Sequence, residues 1–435
     1  MIFALLAVLQ GPTAPGRADS RDTLPVVSLS EALSRAAHLD PNYVGAAGAV
    51  GTAEWVRWSA LAIFVVPSVT LSTAATRYSV PTFNFGTFDQ RLNSTQALFT
   101  ASYDLFTGGR KYQAARAAGA ELEGARAGEV EQRFVTAMQT EDDFYSVLVR
   151  RALTRVAEDQ VRRAEEQLSV ARARVQTGAA VQTDSLQLFL TLNQSQVALL
   201  QQRTALRVAQ LELGRRIGLE GPADAQLTPQ DSAPAPQLPF SVSDAVERAL
   251  AQGPSWRIAR ANERSAAAQL WSARGAFLPQ ANLSFTSGAF DTKFFPELQK
   301  RWALTLTITL PVLDNGLREI ALSQASANHE VAQAFRDDLE RAAWRDVTQA
   351  YDAYETSRST AALQRVAVIV AQENNRVQET RYRAGATTIL DLLDAQNRLV
   401  QAQADLVQSL YTTRLARAGL EVMLGERITF TQDNH

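Results

Sequence analysis

One short motif occurs twice in this chain at a fixed separation, and that repetition limits the fold more than any other feature. Near the C-terminal end, Arg381-Tyr-Arg-Ala-Gly-Ala-Thr-Thr-Ile-Leu-Asp-Leu-Leu-Asp394 reads as the tip of a helical hairpin. Arg381 and Tyr382 close a long polar helix, and Gly385 stops it in the left-handed conformation. Thr388 then caps a new helix, with Asp391 favourably placed in its first turn. The earlier copy reads Arg174-Val-Gln-Thr-Gly178, followed by Thr183-Asp184-Ser-Leu186. Gly178 to Gly385 is 207 positions, and so is Asp184 to Asp391.

The rest of the chain is duplicated in the same order. Ser28-Leu-Ser-Glu-Ala-Leu33 and Ser241-Val-Ser-Asp-Ala-Val246 are both Ser-capped helix starts with an acid in the first turn. Asp40-Pro41 and Gly253-Pro254 end these short helices, and helices of about 25 residues then run towards Pro67 and Pro279. The offset is 213 at the caps and 212 at the prolines; it is 207 from Phe106/Leu313 to Ile217-Gly218/Leu424-Gly425. One deletion of about five residues in the second copy, between Pro279 and Leu313, accounts for the change. A period near 210 is far too long for a solenoid. The predicted division is a first repeat over 26–218, a linker over 219–240 rich in Pro and Ala, a second repeat over 241–425 and a tail over 426–435. Residues 1–18 resemble the apolar part of a signal peptide that lacks its basic leader, with small residues near Gly16–Ala18 as a cleavage region.

Within each copy the hydrophobic period switches from that of a strand to that of a helix. Alternation predicts strands over about 68–76 and 93–105, and again over about 280–289 and 302–310. Trp302-Ala-Leu-Thr-Leu-Thr-Ile-Thr-Leu310 shows it most clearly, with Trp302, Leu304, Leu306 and Ile308 on one face and mostly Thr on the other. Nine or ten residues is about the length of a tilted strand that crosses a bilayer. Proline-free helices over about 109–176 and 317–384 follow, each on the order of 100 Å long. Return helices over about 184–216 and 391–424 run roughly 50 Å. On the last helix the apolar seam is narrow: Leu392, Ala395, Leu399, Ala402, Leu406, Ser409, Thr413, Ala416, Leu420 and Met423 keep coiled-coil spacing with many small residues. Such a seam suits lateral packing of helices rather than one thick core.

Composition removes several function classes. A net charge of −2 gives no basic field for nucleic acid. Mean hydropathy is −0.14, and no apolar run approaches the ~18 residues of a spanning helix. With no cysteine there is no disulfide, zinc-thiolate site or lipid-anchored N-terminal cysteine. His38, His329 and His435 lie far apart and read as solvated side chains. No catalytic triad, metal-ligand cluster or phosphate-binding glycine loop stands at usable spacing, so neither an enzyme nor a cofactor is expected. Four strands cannot stand alone in hydrocarbon, because open sheet edges are not tolerated there. They must be pooled between chains: two copies would give eight strands and three would give twelve. The alternative is a soluble periplasmic coiled-coil scaffold with small β-insertions.

In order, twice and at fixed spacing, these motifs resemble the TolC-type outer-membrane efflux channel family across nearly all of 26–426. They are the two Ser-x-x-Glu/Asp-Ala starts, Leu105-Phe-Thr-Gly-Gly-Arg110 with Leu313-Asp-Asn-Gly316, both glycine tips, and the closing Ile217-Gly218 and Leu424-Gly425. The resemblance implies a mainly α chain with transmembrane β, whose homotrimer joins a twelve-stranded barrel to a tunnel of long helical hairpins. It implies a passive exit duct in the cell outer membrane, its tunnel in the periplasm, serving tripartite efflux or type I secretion. A periplasmic adaptor and an inner-membrane pump (of RND, ABC or MFS type) would be its partners, and outer-membrane lipid would surround Phe99, Tyr103, Trp302, Leu304, Leu306 and Ile308. It places the periplasmic gate on Asp391 and Asp394, one helical turn apart, whose like charges would raise one another's pKa. It places the latch on Tyr382 with Thr183 and Asp184, while a basic member of that network falls on Thr387, so the closed state is expected to be loose. Gly178 and Gly385 would let adaptor helices approach the tips.

Overall fold

The computed structural model describes residues 24–84, 88–178, 181–228, 233–291 and 299–429. The expected signal segment 1–18, His435 and the end of the tail lie outside those residues. The first repeat comprises β1 (Val26–Val27), α1 (Leu29–Leu39), α2 (Pro41–Ala62), β2 (Ser68–Asn84), β3 (Asp89–Phe106), α3 (Arg110–Gln176) and α4 (Gln182–Arg216). After β4 (Asp224–Ala225) come α5 (Val242–Gln252), α6 (Pro254–Gly275), β5 (Gln280–Asp291), β6 (Gln299–Thr309), α7 (Leu317–Arg383) and α8 (Ile389–Leu424).

Local chemistry sets these boundaries. Ser28 Oγ accepts the Glu31 N–H at 3.3 Å, and Ser241 forms a full capping box with Asp244. The Asp40 carboxylate accepts from the N–H groups of Asn42 and Tyr43 at 2.9 and 3.0 Å, and Pro41 fills the first helical position of α2. Both 67-residue helices begin after a left-handed glycine, Gly109 and Gly316, each at φ +81°. At the position before, Gly108 in the first copy and Asn315 in the second are also left-handed, at φ +63° and +60°. A Cβ on Gly108 would sit 2.2 Å from the Gly275 carbonyl oxygen, so α6 ends against this joint backbone to backbone.

The sheet is antiparallel in the order β2-β3-β5-β6, leaving β2 and β6 at its two edges. Residues opposite one another in register share a face. One face carries Leu71, Phe99, Ser287 and Trp302 in one row, Ala101, Phe285 and Leu304 in the next, and Tyr103, Leu283 and Leu306 below. Ile308 opposes Ala281 on that same face. The other face carries Ser72, Thr100, Ser102, Asp104, Asn282, Ser284 and Thr305, and Asn282 donates to Ser102 and Asp104 at 3.0 and 2.8 Å. β2 runs well past the predicted residue 76, because pairing resumes beyond an irregularity between Arg77 and Thr82. Pro81 lies inside that irregularity on an edge strand, where its missing N–H disrupts no ladder bond.

The helices continue this sheet as a layer one helix thick. Near the strands α2 packs on α3, α3 on α6 and α6 on α7; towards the tips α4 packs on α3, α3 on α8 and α8 on α7. The inner α6 buries Ala259, Ala261, Ala268 and Leu270, whereas its duplicate α2, at an edge, buries none of its residues. Trp55 and Trp58 there are 70% and 62% exposed. Apolar cores form where the short elements wrap the helices midway. One joins Val27, Ala32, Phe144, Val147, Leu213 and Ile217 to Ala223 and Ala225 of the linker; the other joins Leu238, Val246, Tyr354, Leu420 and Leu424. On α8, Leu392, Ala395, Leu399, Ser409, Thr413 and Leu420 are buried as the seam predicts. In its last turns Ala418, Glu421 and Leu424 turn inward instead and Met423 is 38% exposed, because the second core captures Leu424 and the Glu421 carboxylate accepts the Ile428 N–H at 3.2 Å. Among the described residues no helix is long and apolar enough to cross a membrane.

Candidate functional site

The two hairpin tips lie side by side at the end opposite the sheet. At the second tip, α7 closes in a Schellman motif: the Gly385 N–H reaches the Tyr382 carbonyl at 3.0 Å and the Ala386 N–H the Arg381 carbonyl at 2.8 Å. Gly385 has φ +74°, and Gly178 at the first tip has the same value. Both positions are open: an added Cβ at Gly178 would meet nothing within 4 Å, and at Gly385 only Arg174 Nη2 at 3.7 Å.

The restarting helices differ. Thr388 caps α8 in a capping box, its hydroxyl accepting the Asp391 N–H at 3.2 Å. Asp391 Oδ2 in turn accepts from the Thr388 hydroxyl at 2.6 Å, the Thr388 N–H at 3.1 Å and the Thr387 hydroxyl at 2.9 Å. The corresponding cap of α4 is Val181, which has no side-chain acceptor, so Thr183 and Asp184 lie inside the first turn. The threonine bonds hold the Asp391 carboxyl below its ordinary pKa, the Thr388 hydroxyl first among them. Within one chain the hydrogen bonds of the cap set this direction, whereas the rise expected from like charges belongs to acids of several chains meeting at one aperture. Asp394 stands one turn on and is not alone: Arg398 Nε pairs with its Oδ2 at 2.9 Å. Asp394 and Arg398 are four residues apart on one helix face, so this pairing was available from spacing.

Tyr382 joins the tips, but not as the latch expectation has it. Among the described residues no hydrogen bond links it to Thr183 or Asp184. Its side chain is only 4% exposed and its hydroxyl has no hydrogen-bond partner. Arg174, on the other hairpin, donates through Nη1 to the Tyr382 carbonyl at 2.9 Å and places its guanidinium 5.1 Å from the ring centroid. Burial pushes the Tyr382 phenol above its usual pKa; the negative field of Asp184 adds to this and Arg174 opposes it. Beside this contact Leu168, Ala171 and Leu188 form a small apolar plug against Ile389 and Leu393 of the second tip. The residues sequence reasoning missed are thus Arg398 and the bridging role of Arg174. Thr387, the position where the resemblance expects a basic residue, donates to the Asp391 carboxylate.

At the other end of the molecule, the six residues expected to meet lipid share the apolar face of the sheet. Phe285 bridges them, its ring 6.2 Å from Phe99 and 6.3 Å from Trp302. Trp302, Leu304 and Ile308 are each at least 60% exposed in the single chain. Tyr103 is partly covered, its hydroxyl donating to the Phe64 carbonyl at 2.6 Å.

Known proteins place this architecture. The chain is similar in fold to the outer membrane channel CmeC of Campylobacter jejuni, with a TM-score of 0.78 at 15% identity over 98% of this chain and 96% of that one. In sequence it is 29% identical over 323 residues to the pyoverdine export outer membrane protein OpmQ of Pseudomonas putida, spanning 71% of this chain and 66% of that protein. It is 30% identical over 205 residues to the outer membrane protein OprJ of Pseudomonas aeruginosa, spanning 45% of this chain and 42% of that one. The chain thus spans about two thirds or less of the length of these curated relatives. The family model described as "Outer membrane efflux protein" matches residues 64–219 and 245–426, one match to each repeat, and the chain belongs to that outer membrane family.

Proposed function

We propose that this chain is one subunit of a homotrimeric exit duct of a tripartite efflux or type I secretion system. The observation that carries this reading is the pair of open edges, β2 and β6, on a four-stranded sheet with one apolar and one polar face. Unpaired backbone groups cost several kcal/mol each in hydrocarbon, so β6 of one subunit pairs with β2 of the next until the barrel closes. Three copies give twelve strands, with the Phe99 and Trp302 face in lipid and the Ser102, Asp104 and Asn282 face lining water. The helix layer closes in the same way, and the exposed Trp55 and Trp58 edge of α2 is covered by α7 of a neighbour.

At the tips, three copies of Asp391 and Asp394 ring the periplasmic aperture, which draws cations and repels anions. Three Arg398 residues lie in the same ring and moderate its charge. The tips at Gly178 and Gly385 receive a periplasmic adaptor, which couples the duct to an inner-membrane pump. The duct is passive: the pump supplies energy and selects cargo, and the chain has no catalysis or cofactor of its own. Extraction from outer-membrane fractions tests the assembly. A detergent-solubilised particle with three times the 47.5 kDa chain mass is expected, whereas a freely water-soluble monomer would return the reading to a coiled-coil scaffold.

A further inference from the structure

Beside the first apolar core, midway along the helix layer, α3 and α8 leave a pit between them. Its volume is about 190 Å³. Leu148, Val149 and Ala152 of α3, Val407 and Leu410 of α8, and Leu227 of the linker give it an apolar wall. The floor is firm, because Leu148 and Tyr411 pack against the core and Tyr145 belongs to it. The Tyr411 hydroxyl donates to Asp142, which does not line the pit, so the ring of Tyr411 rather than its polar end serves the wall. Three arginines, Arg151, Arg155 and Arg414, stand around this wall, and no acid does.

Arg151 is already held by the linker: Nη1 pairs with Asp224 at 2.9 Å and Nη2 donates to the Ala225 carbonyl at 2.8 Å. Arg155 lies one turn further along the same face of α3 and is exposed. Among the described residues no hydrogen bond or ion pair engages it. An apolar hollow with uncompensated positive charge at its rim is complementary to an amphipathic anion, and the planar guanidinium fork matches a carboxylate. A cavity of about 150 Å³ holds benzene, so this one takes a ring with a small substituent. We propose that the pit binds a small arylcarboxylate, its ring against Leu148, Val407 and Leu410 and its carboxylate on Arg155. The site is built within one chain and goes beyond the duct reading without resting on it. α3 and α8 are the inner pair of the layer, with α4 and α7 outside them, so the joints between subunits lie elsewhere. Because α3 comes from the first repeat and α8 from the second, a bound ligand ties the two repeats together.

The test uses the full-length chain in lipid nanodiscs with para-(trifluoromethyl)benzoate, whose fluorine NMR line broadens on binding. Saturable broadening beyond that of empty nanodiscs is expected. The neutral twin, para-(trifluoromethyl)benzyl alcohol, should bind at least about ten-fold more weakly, since it loses the charge-assisted hydrogen bond. Arg155→Gln should raise the Kd for the acid about five-fold, the effect of one such bond discounted for the exposure of Arg155. Ala152→Phe fills the pit and should remove saturable binding; should that variant not fold, the surface change Arg155→Gln still decides. No saturable broadening, equal binding of acid and alcohol, a Kd unmoved by Arg155→Gln, or binding retained by a folded Ala152→Phe chain would each overturn the site.

Discussion

Replacing Arg174 by Gln should open the resting tip. The link it removes has two parts: a charged donor at 2.9 Å from the Tyr382 carbonyl, at the C-terminal end of α7, and a guanidinium 5.1 Å from the Tyr382 ring. A hydrogen bond from a charged donor contributes about 1.5–3 kcal/mol, and an exposed cation–π contact adds about 0.5–1 kcal/mol. Arg174 is half-buried, so solvent screens part of this, and about 1.5–2 kcal/mol is the fair total. At ~1.4 kcal/mol per factor of ten, the closed state loses roughly 10- to 30-fold in population if opening draws α7 away from α3. Single-channel recording at constant voltage reads this as a matching rise in open time. Arg174→Lys, which keeps the charge but loses the planar fork, should fall between. An assembled Arg174→Gln channel with unaltered open time would refute the reasoning.

Asp394→Asn and Asp391→Asn should each weaken cation selectivity and block by multivalent cations, while Arg398→Gln should strengthen both; unaltered reversal potentials would contradict the ring. Thr387→Arg puts a basic residue beside Asp391 and should lower resting conductance by a factor of about 5, the effect of one hydrogen bond of roughly 1 kcal/mol; unchanged conductance would contradict the loose-gate reading. Burial raises the pKa of Glu141 and Glu421, so the native state holds protons that the unfolded chain releases. Their stability contribution is therefore present below the ordinary carboxyl value of 4.5 and is lost as pH climbs through the raised values. Glu141→Gln should flatten that decline and raise the unfolding midpoint at pH 7 to 8, by about 1.4 kcal/mol for each unit of raised pKa; thermal unfolding across pH measures it.

The long helices were legible because nothing in them interrupts a helix and a glycine stops each in the left-handed conformation at Gly178 and Gly385. Duplication supplied the rest of the frame, since each boundary could be read twice. The end of β2 was not legible: alternation breaks between Arg77 and Pro81, and only its partner strand shows that pairing resumes at Thr82. The tip was half legible. The Thr388–Asp391 cap is a local pattern, and so is the Asp394–Arg398 pair. Arg174 and Tyr382 are 208 positions apart, and nothing in either stretch shows that one side chain reaches across to the other.

The central claim is that β2 and β6, the edges of one sheet, meet between subunits. The chain has no cysteine of its own, so introduced thiols report without background. Thr70→Cys on β2, combined in turn with Thr305→Cys and Thr307→Cys on β6, should give oxidised bands of two and then three linked chains from outer-membrane preparations. Cross-links confined within single chains, or none at any position along β6, would contradict the account.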